Sequence, residues 1–182
     1  MKNLLKAIQS YFSKTFVKSV KADNSGVDLD KLLKAKDPKE TNTSIIELDN
    51  HICKLCAWGD ELDKLNANQK AFYYNQELER EVNNGGFNLF YSNSSGNYAH
   101  EVVDSLNAIG ANKTAGIVKK ANDQFPNGKV PKDRDERQQI LEQIRGKANE
   151  IWENLNQDFY KYEDDLNSLN LDFIKRNIND FR

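Results

Sequence analysis

From residue 44 onwards, apolar side chains recur every three or four residues, which is the spacing of one face of an α-helix. No stretch alternates apolar and polar residues for long enough to indicate a strand. The 182 residues include only 3 Pro and 9 Gly, so few positions oppose a helix. A chain of this length can bury a core without disulfides or metals. The sequence therefore predicts an all-α fold, an irregular helical bundle in a single domain.

Capping residues and glycines place several helix boundaries. Gly85 and Gly86 follow an apolar stripe that reaches Val82, and we expect one of these glycines to end the helix with a positive φ. A short aromatic segment, 87–91, follows. Asn97 is placed to cap the next helix, which Gly110 closes.

The longest predicted helix begins near Asp133. Glu136 stands three residues after Asp133, which is the spacing of a capping box. The apolar stripe that follows runs for about six turns and predicts the buried face of this helix. Its members are Ile140, Ile144, Ala148, Ile151 and Leu155.

Residues 1–43 differ from the predicted helical domain at 44–182. Residues 1–22 contain five Lys and no acid, and apolar side chains recur there at near-helical spacing. These are Leu5, Ile8, Phe12 and Phe16. They predict a basic amphipathic helix that packs on the domain or lies on a membrane surface, and packing is the simpler interpretation. Residues 22–43 are predicted to be a polar linker.

Composition and cysteine usage bear on the compartment. No stretch reaches the apolar length of a membrane span, and residues 1–21 lack the continuous apolar run of a secretory signal. Cys53 and Cys56, with His51 nearby, resemble half of a zinc site without a second pair of ligands. We therefore expect two reduced, metal-free core cysteines, no cofactor, and a cytoplasmic protein.

The segment 81–96 is unusually rich in Asn, Gly and aromatic residues. Asn and Gly tolerate left-handed backbone, and Glu81 can accept hydrogen bonds from N–H groups of such a segment. Two interpretations stay open: a rigid connection anchored by Phe87 and Phe90, or a ligand pocket.

Several motifs resemble a bacterial family named after a DNA-mimic protein, over about residues 44–181. They are the sequence Glu-Val-Asn-Asn-Gly-Gly-Phe at 81–87, then Asn93, Gly96, Ile-Gly-Ala at 109–111, Phe-Pro-Asn-Gly at 125–128, and Phe-Tyr-Lys-Tyr-Glu-Asp-Asp-Leu at 159–166. The resemblance implies an all-helical fold. It also implies an acidic surface that imitates DNA phosphates, occupies a DNA-binding protein, and belongs to a homodimer.

Charge is unevenly distributed along the chain. Residues 113–147 carry a net charge of +4 and residues 150–172 carry −6, within a total of −2. Together with the resemblance, this predicts a non-catalytic module with a protein partner and no membrane span. The candidate binding residues are Glu81, Asn84, Gly85, Gly86, Phe87, Asn93, Gly96, Glu163, Asp164 and Asp165.

Two alternatives remain. One is an enzyme or small-ligand binder centred on the Asn-Gly-Gly-Phe segment, with Glu81, Asn84, Asn93 and His100. The other is direct nucleic-acid binding through the basic residues Lys119, Lys120, Lys129, Lys132, Arg134 and Arg137. We do not expect direct nucleic-acid binding, because nearby acids offset these charges and no known reader motif accompanies them.

Overall fold

The structure is a computed structural model that describes residues 27, 29–35 and 37–182. The described residues form seven α-helices and no strand, which confirms the predicted all-α fold. The helices are α1 (Leu29–Leu33), α2 (Pro38–Leu55), α3 (Ala67–Ser92), α4 (Ala99–Ile109), α5 (Asn112–Asn122), α6 (Arg134–Phe159) and α7 (Leu166–Arg176). The predicted amphipathic helix in residues 1–22 lies outside the described residues.

The prediction of a polar linker over 22–43 is wrong for its second half. The short helix α1 lies within it, and α2 begins at Pro38, before the expected start at residue 44. Asp37 caps α2 by accepting a hydrogen bond from the backbone N–H of Glu40 at 2.9 Å. Proline in the first turn has no N–H to satisfy and a φ already suited to a helix. Local capping therefore outweighs the polar composition.

Two long helices, α3 and α6, organise the bundle. They pack against each other, α4 packs between α3 and α5, and α5 also contacts α6. At their centre the ring of Tyr91 lies 4.9 Å from that of Phe125 and 5.1 Å from that of Trp152, measured between centroids. The polar atoms of this cluster are satisfied, because Trp152 Nε1 donates to the carbonyl of Ala121 at 3.1 Å. At the other side of α3, α2 contacts α3 and α7.

The buried face of α6 is rotated from the predicted stripe. Trp152 is fully buried, whereas Ile151 is 41% exposed. Leu141 is likewise buried, beside the half-buried Ile140. Apolar residues lie on both sides of the predicted stripe of this helix, so their spacing alone does not decide which face is buried. The indole of Trp152 decides the choice, because it fits between Tyr91 and Phe125 and finds a backbone acceptor.

Helix-end predictions had mixed outcomes. Gly110 ends α4 in a left-handed conformation with φ 91°, and Asp133 caps α6 by accepting from the N–H of Glu136 at 2.8 Å. Both predictions are confirmed. The predicted Asn97 cap is wrong, because Tyr98 precedes α4 and the side chain of Asn97 accepts a hydrogen bond from Arg137.

Cys53 and Cys56 are unpaired and fully buried in the core. Burial is the main cause that raises the pKa of the Cys53 thiol to about 12. A thiol with that pKa stays protonated near neutral pH, which disfavours nucleophilic or metal-binding chemistry. Among the described residues, no group of three or more His, Cys, Asp or Glu is placed to hold a metal ion.

None of the helices in the described part of the chain combines the length and apolar character that crossing a membrane requires.

Candidate functional site

The Asn-Gly-Gly-Phe sequence breaks α3 without ending it. Gly85 has φ −165°, Gly86 has φ 68° with ψ −170°, and helical geometry resumes beyond them as far as Ser92. The conformation of Gly86 is one that essentially only glycine adopts. The expected positive φ is therefore confirmed, but the expected helix end is wrong, because the aromatic residues after the glycines are helical.

A side chain of α6 occupies the space that this break opens. A Cβ on Gly86 would overlap the side-chain amide of Asn156, whose Oδ1 accepts a hydrogen bond from the N–H of Phe87 at 2.9 Å. On the other side of the break, the hydroxyl of Tyr160 donates to the carbonyl of Val82 at 2.8 Å. Buried backbone groups released from a helix need such partners. The last turns of α6 therefore supply the hydrogen bonds that the break removes.

Glu79 lies one turn before Asn83 and is buried. The hydroxyl of Tyr162 donates to Glu79 Oε1 at 3.0 Å, and Asn83 Nδ2 donates to the same hydroxyl at 2.6 Å. Burial raises the pKa of Glu79 to about 7, although the hydrogen bond from Tyr162 opposes the shift. A carboxyl group in this environment titrates near neutral pH.

Glu81 holds the end of α3 to its middle. Asn93 Nδ2 donates to both carboxylate oxygens of Glu81, at 3.0 and 3.1 Å. The acceptor role expected for Glu81 is therefore confirmed, but its donor is a side-chain amide and not the backbone N–H groups that we expected. Burial raises the pKa of Glu81, and the hydrogen bond from Asn93 opposes that shift.

Arg137 is the most heavily hydrogen-bonded side chain near this segment. It is fully buried, and its guanidinium donates to the carbonyls of Tyr91 at 2.8 Å, Pro131 at 2.7 Å and Asn93 at 2.9 Å. It also donates to Asn97 Oδ1 at 2.8 Å. The last carbonyls of a helix lack internal partners and carry partial negative charge, so a cation is favoured there. Arg137 thus joins the start of α6 to the end of α3.

Gly96 makes room for this guanidinium. A Cβ on Gly96 would come within 2.5 Å of Arg137 Nε and within 3.0 Å of the carbonyl oxygen of Tyr91. The φ of Gly96 is not in the left-handed region, so the space and not the backbone angle requires glycine. Gly96 thus serves the packing of Arg137. Because Arg137 is fully buried and donates to backbone carbonyls, it is not available to a nucleic acid.

The segment candidates therefore do not converge on one pocket. Phe87 and Phe90 are fully buried, as expected of anchors, whereas Asn84 and Gly85 are exposed. His100 lies apart from them and accepts a hydrogen bond from the N–H of Val130 at 3.2 Å.

Two surface clefts lie elsewhere. One, of about 580 Å³, is lined by α1 and the start of α2. The other, of about 180 Å³, lies between the start of α5 and the end of α6. Neither cleft is lined by Glu81, Asn84, Asn93 or His100.

The three acids of the Tyr-Glu-Asp-Asp-Leu segment each have a different partner. Asp164 Oδ2 accepts from the N–H of Thr114 at 2.8 Å, in the first turn of α5, and from its hydroxyl at 3.0 Å. Asp165 caps α7 by accepting from the N–H of Ser168 at 3.0 Å. Glu163 forms an exposed ion pair with Lys113 at 3.0 Å. Asp164 and Asp165 thus satisfy helix N-termini.

A family model described as DMP19-like protein matches residues 63–177, which is more than half of the chain. The match runs from the turn before α3 to the residue after α7, and it contains the glycine break, Arg137 and the Tyr-Glu-Asp-Asp-Leu segment. The chain belongs to the DMP19-like family. DMP19 is the DNA-mimic protein family, so the predicted resemblance is confirmed over these residues. No curated protein and no solved structure matches the chain significantly.

In this DMP19-like chain, a row of acids runs along the solvent side of α6. Asp135, Glu142, Glu150 and Glu153 are all exposed, and none forms an ion pair with another of the described residues. The carboxylate of Glu153 accepts hydrogen bonds from Gln157 Nε2 at 2.9 Å and Asn156 Nδ2 at 3.3 Å. Since a helix turns about 100° per residue, Asp135, Glu142 and Glu153 lie within about 20° of one another, with Glu150 about 60° aside. We call these four side chains the α6 acidic row.

Sequence reasoning missed both the α6 acidic row and the insertion of Asn156 at Gly86. The spacing of 7 and 11 residues between Asp135, Glu142 and Glu153 is a helical signal that was available. The insertion of Asn156 at Gly86, by contrast, joins residues 70 apart and leaves no mark in local spacing.

The glycine break generates a matched test. Gly86→Ala should lower the free energy of unfolding by roughly 3 kcal/mol or more, because it forces a side chain into a glycine-only conformation and displaces Asn156. Gly116→Ala in α5 is the control: a Cβ there meets nothing within 4 Å, so the variant should gain about 0.5–1 kcal/mol. Urea unfolding measures both. Equal effects would contradict the packing assigned to Gly86.

Replacing the buried Arg137 should lower the free energy of unfolding through lost hydrogen bonds. Arg137→Met should destabilise the protein by roughly 3 kcal/mol, because it leaves several buried carbonyls without donors. Arg145→Met serves as the control on the same helix, since Arg145 is exposed and its side chain makes one hydrogen bond to the described residues, at 3.5 Å to Ser92 Oγ. The control should change stability by less than about 0.5 kcal/mol. Thermal melting of both variants measures the difference.

Glu79 should make stability depend on pH. Its pKa rises from 4.5 to about 7 on folding, so the folded chain holds this proton more tightly than the unfolded chain. Stability should therefore fall as pH rises from about 4.5 to 7, by up to about 3 kcal/mol. Glu79→Gln keeps an acceptor for Tyr162 and removes the titration, so its free energy of unfolding should lack this decline. Urea unfolding at about pH 5 and pH 8 compares the two proteins, and identical declines would refute the role of Glu79.

Proposed function

We propose that this DMP19-like protein is a non-catalytic interaction module that mimics DNA and occupies the DNA-binding surface of a protein partner. The observation that carries the proposal is the α6 acidic row, four exposed carboxylates without ion-pair partners among the described residues. Family membership supports the same function.

The length of the row suits a DNA-binding surface. From Asp135 to Glu153 it covers 18 residues, or about 27 Å at a helical rise of 1.5 Å. A protein that binds DNA presents Lys and Arg side chains to a line of phosphates, and the same side chains would meet this line of carboxylates. The basic residues of α6 flank the row. Arg134, Arg145 and Lys147 are displaced by roughly 80–120° from the line through Asp135 and Glu153, and Arg145 and Lys147 each lie about 60° from the nearest acid of the row.

The density of charge is lower than that of DNA. One strand carries a phosphate every 3.4 Å, so the row supplies about half of the charge of one strand over this length. A second copy of the chain would add a second row, which is the reason that a homodimer belongs to the proposal. The same arithmetic implies that each carboxylate of the row contributes appreciably to binding.

The Tyr-Glu-Asp-Asp-Leu acids play a smaller part in this proposal than the sequence indicated. Asp164 and Asp165 are held by α5 and α7, and Glu163 is paired with Lys113. Carboxylate oxygens that are held by helix N-termini or by a lysine are less free to accept hydrogen bonds from the basic side chains of a partner.

The geometry does not favour a ligand site at the glycine break. Asn156 fills the space beside Gly86, and the carboxylate of Glu81 is engaged by Asn93. Direct nucleic-acid binding is not favoured either, because Arg137 is buried, Lys119 pairs with Asp123 and Lys132 pairs with Glu101.

The test compares two variants with the same change in net charge. The row variant carries Asp135→Asn, Glu142→Gln, Glu150→Gln and Glu153→Gln, and the control carries Asp30→Asn, Asp60→Asn, Asp104→Asn and Asp172→Asn, four exposed acids elsewhere. Each protein is immobilised on beads and incubated with an extract of its native cell. Captured proteins are then eluted with duplex DNA at constant ionic strength. We expect DNA to release a DNA-binding protein from wild type and control, and the row variant to bind it at least about tenfold more weakly.

Three outcomes count against parts of the proposal. If both variants lose the partner equally, the row has no special role and only net charge matters. If DNA does not displace the captured protein, the chain is an interaction module but not a DNA mimic. If wild type binds the partner with no dependence on salt between about 50 and 200 mM, charge imitation is wrong.

A further inference from the structure

A buried carboxyl group of α3 holds the α6–α7 connection, residues 160–165, against α3. Glu79 is 7% exposed, and its Oε1 accepts a hydrogen bond from the hydroxyl of Tyr162 at 3.0 Å. Asn83 Nδ2 donates to the same hydroxyl at 2.6 Å. Tyr162 therefore joins the connection to α3 through a group that can lose a proton.

The charged groups that act on Glu79 are acids. They are Asp49 of α2 and Asp165, which precedes α7. Arg80 is the next residue in the chain, but its guanidinium pairs with Asp49 and Glu77. Among the ion pairs of the described residues, none involves Glu79. Burial is the main cause that raises the pKa of Glu79, the hydroxyl hydrogen bond opposes it, and the two acids add to the rise. The site therefore suits the protonated carboxyl better than the carboxylate.

The connection has strained backbone at this contact. Tyr162 has φ 48°, in the left-handed region that a tyrosine rarely adopts. Such backbone persists only where surrounding contacts impose it. Besides the bond to Glu79, these contacts include the bonds that Asp164 accepts from the N–H and the hydroxyl of Thr114. Loss of the bond to Glu79 therefore allows the strain at Tyr162 to relax.

The contact between α7 and α3 contains a polar pair that is incompletely satisfied. Asn75 and Asn170 are fully buried, and Asn75 Nδ2 donates to Asn170 Oδ1 at 3.3 Å. Asn75 Oδ1 and Asn170 Nδ2 have no hydrogen-bond partner among the described residues. Buried polar atoms without partners favour opening, because water can then satisfy them. Both contacts of this region with α3 thus contain groups that gain from exposure to water.

We propose that Glu79 is a pH-sensitive switch: its protonated carboxyl holds the α6–α7 connection and α7 against α3, and its carboxylate releases them. Ionisation places a charge without a cation partner between two acids, so water enters and Tyr162 moves away. The movement also takes Asp164 from Thr114, which removes an acceptor from the first turn of α5. The rest of the bundle stays folded, so the switch is a local opening. It does not depend on DNA mimicry.

Native-state amide hydrogen exchange of the full-length chain tests the switch. The protection factors of residues 161–176 should fall roughly 10- to 100-fold from pH 5 to pH 8 and level off above about pH 7, because the pKa of Glu79 is about 7 when closed and 4.5 when exposed. Low concentrations of urea should change them little, since a local opening exposes little surface. The amide of Trp152 should stay better protected and depend strongly on urea.

Two variants connect the opening to the carboxyl group. Glu79→Gln keeps an acceptor for Tyr162 and cannot ionise, so its protection factors should not change with pH. Asp104→Asn removes an exposed acid of α4 and should keep the dependence of wild type. If Glu79→Gln shows the same fall as wild type, the proposal is wrong. It is also wrong if residues 161–176 and Trp152 have the same protection and the same dependence on urea, because only global unfolding then exposes them.

Tyr162→Phe distinguishes the switch from a purely structural contact. Its hydroxyl favours the carboxylate, so removing it should raise the pKa of Glu79 and move the levelling-off to higher pH. A structural role alone would lower protection at every pH without moving that point, and this outcome would overturn the proposal. Carbon-13 NMR of the Glu79 carboxyl in wild type measures its pKa without any variant, and titration near pH 4.5 would overturn the switch as well. Failure of these tests leaves the α6 acidic row untouched.

Discussion

The buried charge of Arg137 is the constraint on which the surrounding structure depends. A guanidinium without water must have its donors satisfied, and here backbone carbonyls and one side-chain amide accept them. These acceptors come from the end of α3, from the turn before α4 and from the loop before α6. One side chain therefore sets how three separate segments meet. Gly96 follows from this arrangement, since any side chain there would displace the guanidinium.

A second connection between α3 and α6 lies at the other end of α6. Asn156 enters the break at Gly86, and Tyr160 completes the hydrogen bonding of Val82. Tyr91 and Trp152 lie between the two connections, so hydrogen bonds between α3 and α6 fix the aromatic core at both ends. In this chain, Gly86 and Tyr160 thus help to hold the two long helices in register.

This has a consequence for where function lies. Gly86, Asn93 and Gly96 are engaged in the architecture of this chain, so these motif residues serve its fold. The α6 acidic row, by contrast, lies on the solvent side of its helix.

The sequence by itself determined the local features of this protein. Helical spacing indicated an all-α bundle, Gly110 marked a left-handed helix end, and Asp133 with Glu136 marked the start of α6, because each depends on residues within one turn. Gly86 could be singled out for a positive φ for the same reason. The family resemblance also rested on short motifs that can be read without coordinates.

Only the tertiary structure decided which face of each helix is buried and what the polar residues do. Trp152 replaces Ile151 in the core because of the shape of the space beside Tyr91, and Arg137 is buried because distant carbonyls converge on it. Asn97 accepts a hydrogen bond from Arg137 and does not cap the helix next to it. Asn156 accepts a hydrogen bond at a helix break about 70 residues away in the chain. These outcomes depend on contacts between segments far apart in the chain, whose energies local spacing does not encode.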